Sequence, residues 1–298
     1  MSEPVTFQKI IIEEQQRHET RRALFSGLEK KIERPVISFF TSFTMPVMID
    51  DSDADMLEGV LRKTDLSKGF ALFISSPGGD GLASERIINL CRSYSGTGEY
   101  WAIVPGKAKS AATMICFGAS KIIMGSSSEL GPIDPQINIS ENGVWERFSV
   151  YNLIEGYNDL FNRAVKEKGN LHPYMQQLEK YDERKIKEWK AARDLSEDIA
   201  IRSLSTGMLK GKSEKDIKEK IEIFLTPKRT KTHGRPIYRD EASSCCGLAI
   251  EAVDVKDKFW EVAYELYIRS NNYVSKLASK CIESKSLSFS AAPPRKGT

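Results

Sequence analysis

The stretch Phe70-Ala71-Leu72-Phe73-Ile74-Ser75-Ser76-Pro77-Gly78-Gly79-Asp80 decides the architecture. Its first five residues are a continuous apolar run, the pattern of a strand buried on both faces. The run stops at a Ser-Pro-Gly-Gly turn, and beyond it, from Gly81 to Arg92, Leu82, Ile87, Ile88 and Cys91 mark the buried face of a helix. Paired glycines at a strand-to-helix junction permit backbone angles and close approach that a Cβ would forbid, so a ligand oxygen can meet bare N–H groups there. A plain tight turn is the competing reading. Neither G-x-G-x-x-G nor a P-loop is present at this turn, which disfavours nucleotide binding.

The same alternation extends in both directions. Upstream, Val36 to Phe40 reads as a buried strand and Asp51 to Lys63 as a helix with Met56, Leu57, Val60 and Leu61 on one face; downstream, Tyr100 to Val104, a small-residue helix from Ser110 to Gly118, and Lys121 to Met124 follow. Repeated β-α units predict an α/β fold with a parallel sheet covered by helices. The opening residues to Lys31 read as a charged amphipathic helix carrying Phe7, Ile10, Ile11, Leu24 and Leu28, a candidate oligomer arm. Residues 149 to 220 have charged helical patterning, and the basic run Lys210, Lys212, Lys215, Lys218 and Lys220 is a solvated face by default. Leu248 to Val253 reads as a strand and Phe259 to Leu277 as an aromatic-rich helix. The expected organisation is an N-terminal helical arm over 1–33, a main domain over 34–255 with a helical insertion at about 149–225, a C-terminal helix over 256–284 and a flexible tail over 285–298.

A second junction follows the third strand. Pro105-Gly106-Lys107-Ala108-Lys109-Ser110-Ala111-Ala112-Thr113 puts Ser110 at the first turn of a small-residue helix, where free N–H groups and the positive end of the helix dipole can stabilise an oxyanion. Ser110 as a mere N-cap is the bland alternative. Asp80, directly after the glycine pair, reads as the cap of the next helix.

The two junctions together resemble the Clp protease proteolytic subunit, the signal peptide peptidase A family and, most closely, the serine-dehydrogenase-proteinase (SDH-type) family of Clp-fold serine proteinases. The matching residues are Ser76-Pro77-Gly78-Gly79 and Ala108-Lys109-Ser110, followed by Ala119 to Met124 and Ser128 to Gln136. The resemblance implies a Clp/crotonase-type fold, hydrolysis of peptide or protein substrates with Ser110 as nucleophile, an oxyanion hole from Gly78 or Gly79 with the Ala111 N–H, and assembly into homo-oligomers. It implies neither a nicotinamide nor a pyridoxal cofactor.

The base is open. Asp134 stands where the Clp subunit carries its histidine, so an arrangement of Ser110, His233 and Asp134 with base and acid positions exchanged is one possibility. A lysine of lowered pKa, as in signal peptide peptidase A relatives, is another, with Lys166 and Lys168 better placed than Lys109, which points away from its neighbour on the helix. His18 lies in the charged arm and His172 at a helix start. A crotonase-type acyl-thioester enzyme and a non-catalytic adaptor on the same scaffold are the competing functions.

Composition narrows the setting. The 298 residues carry 44 basic and 41 acidic side chains, a net charge of +3, so no global field drives binding to nucleic acid or membrane. Five cysteines, an odd number with no zinc or redox spacing, suit a reduced compartment. No apolar run approaches the ~18 residues of a membrane span, and no signal-peptide core opens the chain. These features predict a cytoplasmic protein without a metal site.

Overall fold

The computed structural model describes residues 17–294 apart from residue 142. Phe7, Ile10 and Ile11 of the expected arm lie outside the described residues. Chain order begins with α1 (Glu19–Ile32), β1 (Val36–Thr41), α2 (Asp51–Leu61), β2 (Phe70–Ser75), α3 (Gly81–Tyr94), β3 (Tyr100–Val104), β4 (Lys107–Ala108), α4 (Ala111–Phe117), β5 (Lys121–Met124) and β6 (Glu129–Leu130). A hairpin of β7 (Gln136–Glu141) and β8 (Val144–Ser149) follows. Next comes a run of helices: α5 (Val150–Lys166), α6 (His172–Leu178), α7 (Glu183–Ser205), α8 (Glu214–Lys220), α9 (Glu222–Leu225) and α10 (Pro227–Thr230). The chain then forms β9 (Ile237–Tyr238), α11 (Arg239–Ser244), β10 (Ile250–Ala252), α12 (Lys258–Lys276), β11 (Lys280–Glu283) and β12 (Ser288–Ala291).

Seven strands form the central sheet in the order β10-β5-β3-β2-β1-β11-β12. The first five are parallel, as the β-α alternation predicts, and β11 and β12 add an antiparallel edge. Successive side chains of each strand enter opposite cores. Ile37, Phe39, Leu72, Ile74 and Val104 pack on the face covered by α2, α3 and α4, whereas Val36, Phe40, Phe73 and Ile103 pack with Phe25 and Leu28 of α1 and Trp260 and Leu266 of α12. Two covered faces explain why these strands are apolar throughout rather than alternating.

Two features depart from the sequence reading. The tail expected from residue 285 instead contains β12, paired with β11 on the sheet edge. The strand β11 carries Lys280 and Glu283, both buried, and only their partners make that burial tolerable: Lys280 Nζ lies 2.7 Å from Asp50 and from Asp53, and Arg21 grips Glu283 at 2.6 and 2.7 Å. A charged, serine-rich segment shows nothing of this locally. The β7–β8 hairpin was also unforeseen, because Gln136 to Ser149 is polar on most positions and neither face forms a long apolar row. Among the described residues no helix is long and apolar enough to cross a membrane.

Candidate functional site

A small three-stranded sheet, ordered β4-β6-β9, assembles the site. β4 runs parallel to β6 with Ala108 opposite Leu130, and β9 runs antiparallel with Ile237 opposite Leu130. Two residues beyond Ala108 stands Ser110. Four residues on from Leu130 and four back from Ile237 stand Asp134 and His233, which the antiparallel register therefore sets opposite one another. Lys109 secures the sheet by donating to Glu129 at 2.6 Å and to the Leu130 carbonyl at 3.1 Å. Burial lowers its pKa, against the hydrogen bond and charge of Glu129. Its ammonium is spent on β6, away from the serine hydroxyl.

The glycine turn docks onto the same sheet. Ser76 N–H donates to the Lys107 carbonyl and Lys109 N–H to the Ser76 carbonyl, both at 3.0 Å, so the end of β2 is stitched to β4. Gly78 then touches the serine directly: a Cβ there would sit 2.5 Å from the Lys109 carbonyl oxygen and 2.7 Å from Ser110 Cβ. Ser110 itself holds φ +52° and ψ −121°, outside the regions a non-glycine residue normally visits. It precedes α4 without capping it, and no hydrogen bond from a described residue engages its hydroxyl.

Gly79 and Ala111 line the same cavity as Ser110. Gly78 N–H is taken by Ser76 Oγ at 3.1 Å, but Gly79 N–H and Ala111 N–H, the latter in the first turn of α4, have no hydrogen-bond partner among the described residues. Gly79 is fixed by its neighbours, since Ile49 donates to the Gly78 carbonyl at 2.8 Å and accepts from Asp80 at 2.9 Å. Asp80 caps α3 by accepting from Leu82 and Ala83 N–H. An unengaged hydroxyl and two amides without a partner among the described residues therefore line one cavity.

Asp134 is 1% exposed. Its Oδ1 lies 2.7 Å from His233 Nδ1, while its Oδ2 accepts from Ser149 Oγ at 2.7 Å and from Gln136 Nε2 at 2.8 Å. The loop is pinned around it: Ser196 Oγ donates to the Ile133 carbonyl, Ile133 N–H to the Phe224 carbonyl, and Val150 N–H to the Pro135 carbonyl. Gly131 N–H donates to Thr113 Oγ1 at 3.0 Å, which ties this loop to α4. His233 is half-buried and shares with Ser110, Gly79 and Ala111 the wall of a cavity of about 800 Å³. Met114, Leu195 and Ile199 supply part of its apolar lining.

The other candidates are elsewhere. His18 Nε2 meets the Ser284 carbonyl, and His172, Lys166 and Lys168 are exposed and off the cavity wall. The lysine that does line the cavity is Lys280, which the sequence reading did not single out. It is held between Asp50 and Asp53. Burial raises the Asp53 pKa despite the Lys280 contact; at exposed Asp50 burial also pushes upward, but the bonds to Lys280 and Ser52 lower the net value.

Residues 9–146 match the family of ClpP-like SDH-type serine proteinases. The matched stretch of this SDH-type family includes Ser110, the Gly78-Gly79 turn and Asp134, and His233 lies beyond it. Among curated proteins, the uncharacterized protein MJ0137 of Methanocaldococcus jannaschii is 35% identical over 97 residues, 32% of this chain and 33% of that protein. The uncharacterized protein MJ1495 of the same organism is 33% identical over 103 residues, 35% of this chain and 32% of that protein. The chain thus spans about a third of the length of these curated relatives. Among solved structures, a serine-to-alanine mutant of the 1510-N membrane-bound stomatin-specific protease aligns at a TM-score of 0.36 and 15% identity, over 75% of this chain and 80% of that one. A lysine-to-alanine mutant of the same protease with a substrate peptide aligns at 0.29 and 16%, over 75% and 94%.

Proposed function

We propose that the chain is a serine peptidase that cleaves peptide bonds through an acyl-enzyme on Ser110. His233 Nε2 takes the hydroxyl proton as Ser110 Oγ attacks the scissile carbonyl, and Asp134 accepts from Nδ1–H and stabilises the imidazolium. The carbonyl oxygen, now negative, receives the N–H groups of Gly79 and Ala111, worth roughly 3–4 kcal/mol per donor in serine hydrolases generally. The imidazolium then protonates the departing amine, and water repeats the sequence to free the acid and restore Ser110. Gly78 acts by packing, its own N–H being engaged by Ser76. The observation that carries the reading is the 2.7 Å pairing of His233 with buried Asp134 on the wall of the cavity that Ser110 lines. Ser110 and His233 are not hydrogen-bonded to one another here; such contacts commonly tighten only with substrate.

The family match supports peptide or protein substrates, and we extend the proposal to a cytoplasmic homo-oligomer. The test is intact-mass detection of a single fluorophosphonate adduct on the folded protein. The adduct is expected on wild type and absent from Ser110→Ala, and peptide hydrolysis is expected to fall about 10⁶-fold in that variant. No adduct on wild type defeats the peptidase reading and favours a non-catalytic scaffold. An undiminished labelling rate in His233→Ala defeats the choice of base.

A further inference from the structure

We propose that Gln136 and Ser149 are positioning residues that orient the Asp134 carboxylate toward His233; this rests on the reading of Asp134 and His233 as acid and base. An aspartate carboxylate turns about its terminal Cβ–Cγ bond with only a broad, weak preference, so its oxygens can swing through a wide range of angles. Here one oxygen is held by two donors, Ser149 Oγ at 2.7 Å and Gln136 Nε2 at 2.8 Å, which leaves the other to face His233 Nδ1. That contact is the only hydrogen bond of the His233 ring among the described residues. His233 sits in a Thr-His-Gly-Arg-Pro turn with 23% of its side chain exposed, and no other hydrogen bond from a described residue sets its tautomer. A fixed Oδ1 acceptor keeps the proton on Nδ1 and turns the Nε2 lone pair outward.

The two donors are not independent surface accidents. Gln136 and Ser149 are register partners, the basal rung of the β7–β8 hairpin, and the next residue, Val150, donates to the carbonyl of Pro135, which links Asp134 to the hairpin. Both side chains therefore come from one rigid rung, and both direct their donors to one oxygen. Ser149 is buried, while Gln136 is half-exposed and lines the cavity. A residue serving only hairpin stability has no need to place its donor on the Asp134 carboxylate.

The test uses Ser149→Ala, Gln136→Leu, the double variant and the conservative Ser149→Thr in the full chain. With a p-nitrophenyl acyl ester, kcat is expected to fall about tenfold in each single variant and about a hundredfold in the double, the range found when groups supporting a functional side chain are removed, with KM unchanged. Ser149→Thr, which keeps the hydroxyl, is expected to restore the wild-type rate. The second readout is the His233 Nδ1–H proton resonance in nitrogen-edited spectra, downfield and slowly exchanging in the parent and lost in the double variant. Gln136→Leu, at a half-exposed position, carries the test should Ser149→Ala fail to fold. Wild-type kcat and a persistent resonance in the double variant overturn the proposal. A parent that hydrolyses no ester and takes no fluorophosphonate defeats the peptidase reading alone; the resonance then decides by itself whether these two residues hold Asp134.

Discussion

Ser110 is the residue on which backbone energy and the proposed chemistry meet. At φ +52° its Cβ is held in a region that costs of order 1–3 kcal/mol for a non-glycine residue, and the surrounding stitches from Ser76, Lys109 and Ile49 maintain it. Ser110→Gly is therefore expected to raise the free energy of unfolding by about 1 kcal/mol in urea titration while abolishing labelling and hydrolysis. A loss of stability in that variant would show that the conformation is unstrained. Gly78 faces the converse problem. It holds φ +99°, and a methyl group would meet the Lys109 carbonyl at 2.5 Å, so Gly78→Ala is expected to cost about 2 kcal/mol or more and to remove fluorophosphonate labelling by displacing Ser110. Normal labelling with normal stability would deny the close contact.

At the scale of elements, the sheet edge depends on a charge pair that joins α1 to β11. Arg21 and Glu283 are both fully buried, and Ser288 Oγ adds a third donor to the carboxylate. Burial pushes the Glu283 carboxyl up, but the Arg21 guanidinium and Ser288 outweigh it and hold the pKa below the ordinary value. A depressed carboxyl pKa contributes stability that is fully present above the unfolded value, about 4.3, and is lost as pH falls through the folded value. The stability gap between wild type and Glu283→Gln is thus expected to be constant near neutrality and to close as pH drops below about 4, by urea unfolding at each pH. A gap that persists at low pH would contradict the pairing. Removing Arg21 leaves the charge uncompensated, and Arg21→Met is expected to cost about 3–5 kcal/mol at pH 7.

For the whole molecule, the proposed assembly has surfaces to use. Val144 and Trp145, in the first half of β8, are 60% and 72% exposed, and Phe161 and Val165 stand out from α5. Large apolar side chains exposed in groups mark contact surfaces. Sedimentation velocity is expected to find a species larger than one chain, and Trp145→Glu is expected to shift it toward the single chain. A single-chain species at every concentration would refute the homo-oligomer.

The amino-acid sequence by itself determined the β-α order of the parallel sheet, because strands covered on both faces must be apolar throughout, and it marked the Ser76 to Gly79 turn and Ser110, because each lies at a strand-to-helix junction with its own local signal. It left His233, Lys166 and Lys168 open as bases. Only the tertiary structure decided which of these reaches the cavity, since Asp134 and His233 are 99 residues apart and meet through the two-residue strands β6 and β9, too short to be read locally. The buried charges of β11 and the donors on Asp134 were equally hidden. A polar side chain announces its burial through its partner, and His233 for Asp134, Arg21 for Glu283 and Asp50 and Asp53 for Lys280 all lie far along the chain.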